Sequence, residues 1–228
     1  MSFNLSKPDR PIHVGVFLTN GITEILDTAP VDLLSGFDKH IIETFPEGFI
    51  PAALKTQALE FVYHWVNETG GPARLTSGLN VTPTDSFESC PPLDIIIIGA
   101  HNLGYEPNAA ELDFVRKTFN SCSAFITTCA GVDVAVKAGV LSGKTATGPR
   151  FLLGQMKETA ADINWVEKRW VRDGKIWTSG ALLNGLDVMT AFIEQTWDVQ
   201  EGDLKDFMLK AGGKVVRDVD YKDVSWVM

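Results

Sequence analysis

The isoleucine run at residues 94–99 (DIIIIG) constrains this chain more than any other feature. An apolar run without polar alternation offers no face to water, so it must be buried on both sides. Pro92 before it and Gly99 at its end hold it to strand length. Strands of this kind lie inside parallel sheets, and a parallel sheet needs crossover helices on its faces.

The rest of the chain supplies those parts. Residues 12–18 (IHVGVFL) read as a first strand. An amphipathic helix is expected over 22–37, bent or restarted at Pro30. Residues 61–66 read as a strand, and 79–81 as a strand or hairpin at the sheet edge. After the isoleucine strand come a helix (109–119), a second buried strand (124–128) and a helix (131–138) stopped by Gly139. A short strand at 145–147 and a helix at 151–158 lead to Asp173-Gly174, a hairpin signal flanked by 165–172 and 175–178. Helices over 183–196 and 204–209 complete the order. Alternating strands and helices predict an α/β fold, a doubly wound and mainly parallel sheet sandwiched by helices. We expect one domain over residues 1–228. Residues 37–60 are a possible insertion with a short helix near 52–58, and 213–228 form a tail. Val215, Val216, Trp226 and Val227 suit the tail to packing on the body or on a partner chain.

Charge and composition narrow the function. A net charge of −9 argues against binding nucleic acid, which needs clustered Lys and Arg. No segment reaches the roughly 18–20 apolar residues of a membrane span. Residues 1–11 lack an apolar core of the signal-peptide kind, so a cytoplasmic protein is expected. Cys90, Cys122 and Cys129 are odd in number and widely spaced, which suggests reduced thiols. His13, His40, His64 and His101 are scattered, so spacing shows no metal site. Neither a GxGxxG nor a P-loop is present, and no cofactor is expected. Trp165, Trp170 and Trp177 read as core or interface aromatics.

Cys129 stands apart from the other two cysteines. It follows the buried strand FITT directly and precedes the helix GVDVAVKAG by two residues, with Ala130-Gly131 allowing a tight turn. That arrangement resembles the nucleophile elbow of hydrolases, at the carboxyl edge of a sheet, where ligands of such folds collect. A helix N-terminus beside the thiol would lower its pKa. Without such chemistry the residue would be a small buried hydrophobe, the reading we give Cys90 and Cys122.

These residues carry a resemblance. The segments TEILDTAPVDLL, DIIIIGA, TTCAGVDVAVKAGVLSGKTAT and DGKIWTSGALLNGLDVMTAFI resemble the ThiJ/PfpI superfamily of glutamine amidotransferase-like fold, over about residues 12–197. The cysteine segment is the most specific of them. The chain is most similar to the branch of isocyanide hydratases and their fungal-type relatives. The resemblance implies Cys129 as nucleophile, a carboxylate on the first helix that tunes it, and an oxyanion-type pocket of backbone N–H groups at Gly99, Ala100 and Ala130 beside Gly131. Asp27 and Glu24 are spaced to share a helix face; Asp27, three residues before Pro30, is favoured as the acid, with Glu24 as its competitor. The family places its acid four residues before the proline, where this chain has Leu26. Two further departures stand out. Ala130 occupies the position where the hydratases typically carry Thr, and Gly148-Pro149 replaces the His that many relatives have. His101, after the isoleucine strand, is then the imidazole available for acid–base work, or a solvent-facing loop residue. Ser179, Gly180 and Asn184 would line the pocket, while Thr128, Asp133 and Asp187 read as structural. The implied functions are a hydratase-type lyase, glyoxalase-like hydration of 2-oxoaldehydes, or a stress protein oxidised at Cys129. The implied partners are a small-molecule substrate and a second copy in a homodimer.

Overall fold

The computed structural model describes residues 3–225, and seven strands form its central sheet. In chain order they are β1 (Ile12–Phe17), β2 (Phe61–Asn67), β3 (Asp85–Ser86), β4 (Ile95–Ile98), β5 (Ala124–Thr127), β6 (Trp170–Asp173) and β7 (Ile176–Ser179). Across the sheet they lie in the order β6-β7-β5-β4-β1-β2-β3. Every neighbouring pair is parallel except β6 and β7, the expected hairpin, where Gly174 takes the positive φ of 63° that its tight turn requires.

The isoleucine run explains the layering. Ile95 and Ile97 enter one core with Val14, Val16, Ile126, Val188 and Phe192. Ile96 and Ile98 enter the other with Phe17, Phe125, Val115, Val132 and Ile176. None of the four is more than 1% exposed, so β4 contributes to both cores at once.

The principal helices are α1 (Ile25–Thr28), α2 (Ala109–Ser121), α3 (Gly131–Lys137), α4 (Leu153–Thr159), α5 (Asn184–Thr196) and α6 (Leu204–Ala211). The start of α2 is fixed by a capping box between Asn108 and Glu111. Gly139, at φ 74°, follows the end of α3.

The structure corrects three of the expected elements. The break expected at Pro30 is present, but the helix does not begin at residue 22. Ile22–Thr23 is a strand beside Ala73–Leu75, which also pairs with Asn80–Val81 in a small separate sheet. The helix then begins at Ile25, tightens to a 3-10 turn over Ala29–Val31 and resumes at Asp32–Ser35. Pro30 lacks the N–H that a continuous helix needs. The strand expected over 165–172 is likewise divided. Asn164–Trp165 pairs with Thr145–Ala146 apart from the main sheet, and β6 starts only at Trp170. Residues 37–60 hold two short helices, Lys39–Ile42 and Ala52–Lys55. The first of them ends with Ile42 in the core, and the connection between the two sends Ile50 there as well. Beyond α6 the tail runs back over the body, and Trp226 and Val227 lie outside the described residues. Among the described residues no helix is long and apolar enough to cross a membrane.

Candidate active site

β5 stops at Thr127 and α3 begins at Gly131, so three residues reverse the chain. Cys129, at the apex, has φ +55°, a left-handed conformation that a non-glycine residue keeps only where its surroundings impose it. Its N–H donates to the Gly180 carbonyl at 3.1 Å, and the Thr128 N–H donates to the Ile98 carbonyl at 3.0 Å. Gly131 makes the turn possible. A Cβ there would lie 2.3 Å from the Ile98 carbonyl oxygen, so only glycine lets α3 start against the end of β4. The thiol side chain is buried with Ala100 and Ala130, and Leu152 and Ala181 cover the group. All three cysteines are free thiols.

The first helix delivers a carboxyl to this turn. Asp27 has no exposed surface. Its Oδ2 accepts the Ala100 N–H at 3.0 Å, while Oδ1 is buried with no hydrogen bond at bonding distance. Glu24, half-buried at the head of α1, completes a triad. One oxygen of each carboxyl and the Cys129 sulfur lie within 4.8 Å of one another. These three groups could hold a cation, and no spacing rule finds them because they come together only in the fold.

Burial dominates the electrostatics. It pushes the Asp27 carboxyl up to about 7, with the Ala100 amide opposing and the Glu24 charge adding to the rise. Burial, followed by the negative charge of Asp27, pushes the Cys129 thiol up to about 12. The backbone amides of Ala130 and Leu182 act in the opposite sense and favour the thiolate. This reverses the sequence expectation of a lowered thiol pKa. Lost solvation and two nearby carboxyls outweigh the start of a seven-residue helix. The thiol and Asp27 therefore compete for protons, and near neutral pH the pair retains at least one.

Other expected residues settle differently. The Ala100 N–H is used by Asp27, so it is not a free oxyanion donor. The Ala130 amide instead faces the sulfur, and the Leu182 amide joins it there. Nothing local marks Leu182, whose stretch reads as the start of a helix, yet it adopts φ +48° and aims its amide into the site. Gly99 gives room rather than a charge contact: a Cβ on it would lie 3.0 Å from Asp27 Cβ. Ser179 is fully buried with its hydroxyl 3.3 Å from the Gly180 carbonyl, behind the turn rather than in an open pocket. His101 turns toward α3. Its Nε2 lies 3.5 Å from Asp133 Oδ2 and its Nδ1 lies 3.2 Å from the Asn102 carbonyl, and it makes no hydrogen bond to Cys129 among the described residues. Asp133 also pairs with Lys137 at 2.8 Å, so it anchors that imidazole within a surface ion network.

Comparison with known proteins places this geometry. An isonitrile hydratase of Pseudomonas putida is 30% identical over 141 residues, a stretch that covers 61% of this chain and 61% of the hydratase. A THiJ/PfpI family protein from Pseudomonas syringae superposes with a TM-score of 0.67 at 17% identity, covering 91% of this chain and 77% of its own. The DJ-1 protein of Schizosaccharomyces pombe gives 0.62 at 18% identity, covering 88% and 98%. At those identities the two structures establish the shared fold. The DJ-1/PfpI family model matches residues 14–195, from β1 into the last turn of α5. That span takes in every element that builds the cysteine turn and its carboxyl, and the chain belongs to the DJ-1/PfpI family.

Proposed function

We propose that the protein is a hydratase-type lyase that adds water to a small electrophilic carbon, an isocyanide first among them, with Cys129 as nucleophile. The observation that carries this reading is the pairing of a thiol on a left-handed turn with the buried Asp27 carboxyl, one oxygen of which lies within 4.8 Å of the sulfur. The Cys129 sulfur adds to the terminal carbon, and its proton passes by way of Asp27 to that carbon, leaving a thioimidate. Water then adds its oxygen to the same carbon with Asp27 as base. The sulfur leaves and regains a proton from the carboxyl, and nitrogen takes the other to give a formamide. The 30% identity to an isonitrile hydratase supports the choice of substrate.

The amides of Ala130 and Leu182 favour a second reading, hydration of a 2-oxoaldehyde, because they could hold the oxyanion of a hemithioacetal. Oxidation of Cys129 by peroxide is a third reading, and the buried thiol with its raised pKa weighs against it as much as against the first two. For the assembled protein we propose a homodimer. Leu33, Leu183, Leu186 and Val215 line an apolar groove of about 280 Å³ that a second copy would cover.

Turnover of p-nitrophenyl isocyanide and of methylglyoxal, compared between the wild type and Cys129→Ser, tests the reading. Formamide production that disappears in the variant is the expected result. Isocyanide turnover that survives Cys129→Ser would sink the nucleophile assignment. Turnover of methylglyoxal alone would select the second reading.

A further inference from the structure

We infer that the C-terminal tail positions the nucleophile, with Tyr221 as the residue that carries the effect. The backbone path from tail to thiol is continuous. The Arg169 N–H donates to the Val219 carbonyl at 2.9 Å, the Gly180 N–H donates to the Arg169 carbonyl at 2.9 Å, and the Cys129 N–H donates to the Gly180 carbonyl at 3.1 Å. Each step fixes the acceptor that the next step uses. The last one holds the N–H of a residue in a left-handed conformation that its surroundings must impose.

Side chains converge on the same point. The Tyr221 hydroxyl donates to Asn184 Oδ1 at 3.0 Å, and Asn184 Nδ2 donates to Asp187 at 3.0 Å. The hydroxyl and Asn184 Oδ1 each lie 2.6 Å from where a Cβ of Gly180 would stand, so the tail fills the space beside the glycine whose carbonyl holds Cys129. Tyr221 is fixed in turn. The guanidinium carbons of Arg150 and Arg169 lie 4.6 and 4.8 Å from its ring centroid. Arg169, 4% exposed, also donates to the Asp218 carbonyl at 2.6 Å and to both oxygens of Asp223 at 2.7 and 2.9 Å. A covering role alone would not require a hydroxyl seated against a bare glycine one hydrogen bond from the nucleophile.

The inference rests on reading Cys129 as the nucleophile, but its test does not require turnover. In full-length Tyr221→Phe the ring and its arginine contacts remain while the hydroxyl is lost. In Asp223→Ala the tether of Arg169 is released, and Lys222→Ala serves as a tail control. The readout is the rate of Cys129 alkylation by iodoacetamide as a function of pH, with the thermal midpoint measured alongside. With Gly180 free to shift, the amides of Ala130 and Leu182 lose their aim at the sulfur. Alkylation near pH 7 should then fall about tenfold in Tyr221→Phe, the scale of one net hydrogen bond. The pH profile should move upward, the thermal midpoint should hold, and Asp223→Ala should follow the same direction. Where isocyanide turnover is present, kcat should fall with KM unchanged. A wild-type alkylation profile in Tyr221→Phe would overturn the inference. So would a loss of rate that merely tracks the thermal midpoint through all three variants.

Discussion

At the apex of the β5–α3 turn a thiol and a carboxyl compete for protons, and both are shielded from bulk water. Their coupling gives a residue-scale prediction with a definite sign. Because the first proton leaves the pair near pH 7, Cys129 alkylation should show an inflection there, and Asp27→Asn should abolish it. Removing the negative charge should also shift the remaining profile to lower pH, while turnover falls because the proton carrier is gone. An unchanged profile in Asp27→Asn would separate the two groups. The same burial has a stability sign. The folded-state value of Asp27, about 7, lies above its ordinary 3.8, so the folded protein holds this proton more tightly than the unfolded chain. That contribution is fully present below the ordinary value and is lost as pH rises through about 7. Asp27→Asn should therefore stabilise the protein in mildly alkaline solution, by at most ~4 kcal/mol, and by little in acid. Urea unfolding at the two extremes checks this.

The elements add constraints that no single side chain shows. α3 can start against β4 only because Gly131 has no side chain, and its Cβ would have to displace backbone rather than a flexible side chain. Gly131→Ala should cost about 1–3 kcal/mol, as overpacking does, and should disturb the cysteine turn as well. Denaturant midpoints together with alkylation rates would show both effects, and a neutral outcome in both would contradict the packing argument. On the other side of β1 a polar chain crosses three strands. His13 Nδ1 lies 2.9 Å from His64 Nε2, and His64 Nδ1 lies 2.8 Å from Asp85 Oδ2. Burial first, then the neighbouring His64, holds the His13 pKa below its usual 6.5; Arg10 lowers it further and Asp94 opposes. The unfolded chain thus takes up this proton before the folded one. Stability contributed by neutral His13 is present above pH 6.5 and lost as pH falls through the folded value. His13→Gln should flatten the loss of stability between neutral and mildly acid solution, as thermal melts across that range would reveal.

For the whole molecule, the apolar groove lined by Leu183, Leu186 and Val215 predicts self-association. Leu186→Glu, at a position 46% exposed, should convert a dimer to monomers by sedimentation without unfolding the chain. A wild-type protein that sediments as a monomer at all concentrations would end the dimer proposal. The division between sequence and structure follows the range of the forces involved. Local pattern alone determined the double-buried β4, the hairpin at Asp173-Gly174, the restart at Pro30 and the cysteine turn, because each depends on adjacent residues and on backbone rules. The family resemblance called for an acid on the first helix, and spacing left Asp27 and Glu24, one helical turn apart. Tertiary structure decided what surrounds the thiol. It gave the Ala100 amide to Asp27, turned His101 to Asp133 and brought the Leu182 amide to the sulfur across more than fifty residues of chain. It also reversed the direction of the Cys129 shift. A helix start beside a cysteine is visible in sequence, whereas desolvation and the approach of a distant carboxyl exist only once the sheet has assembled. In a buried site those two effects outweigh the local one.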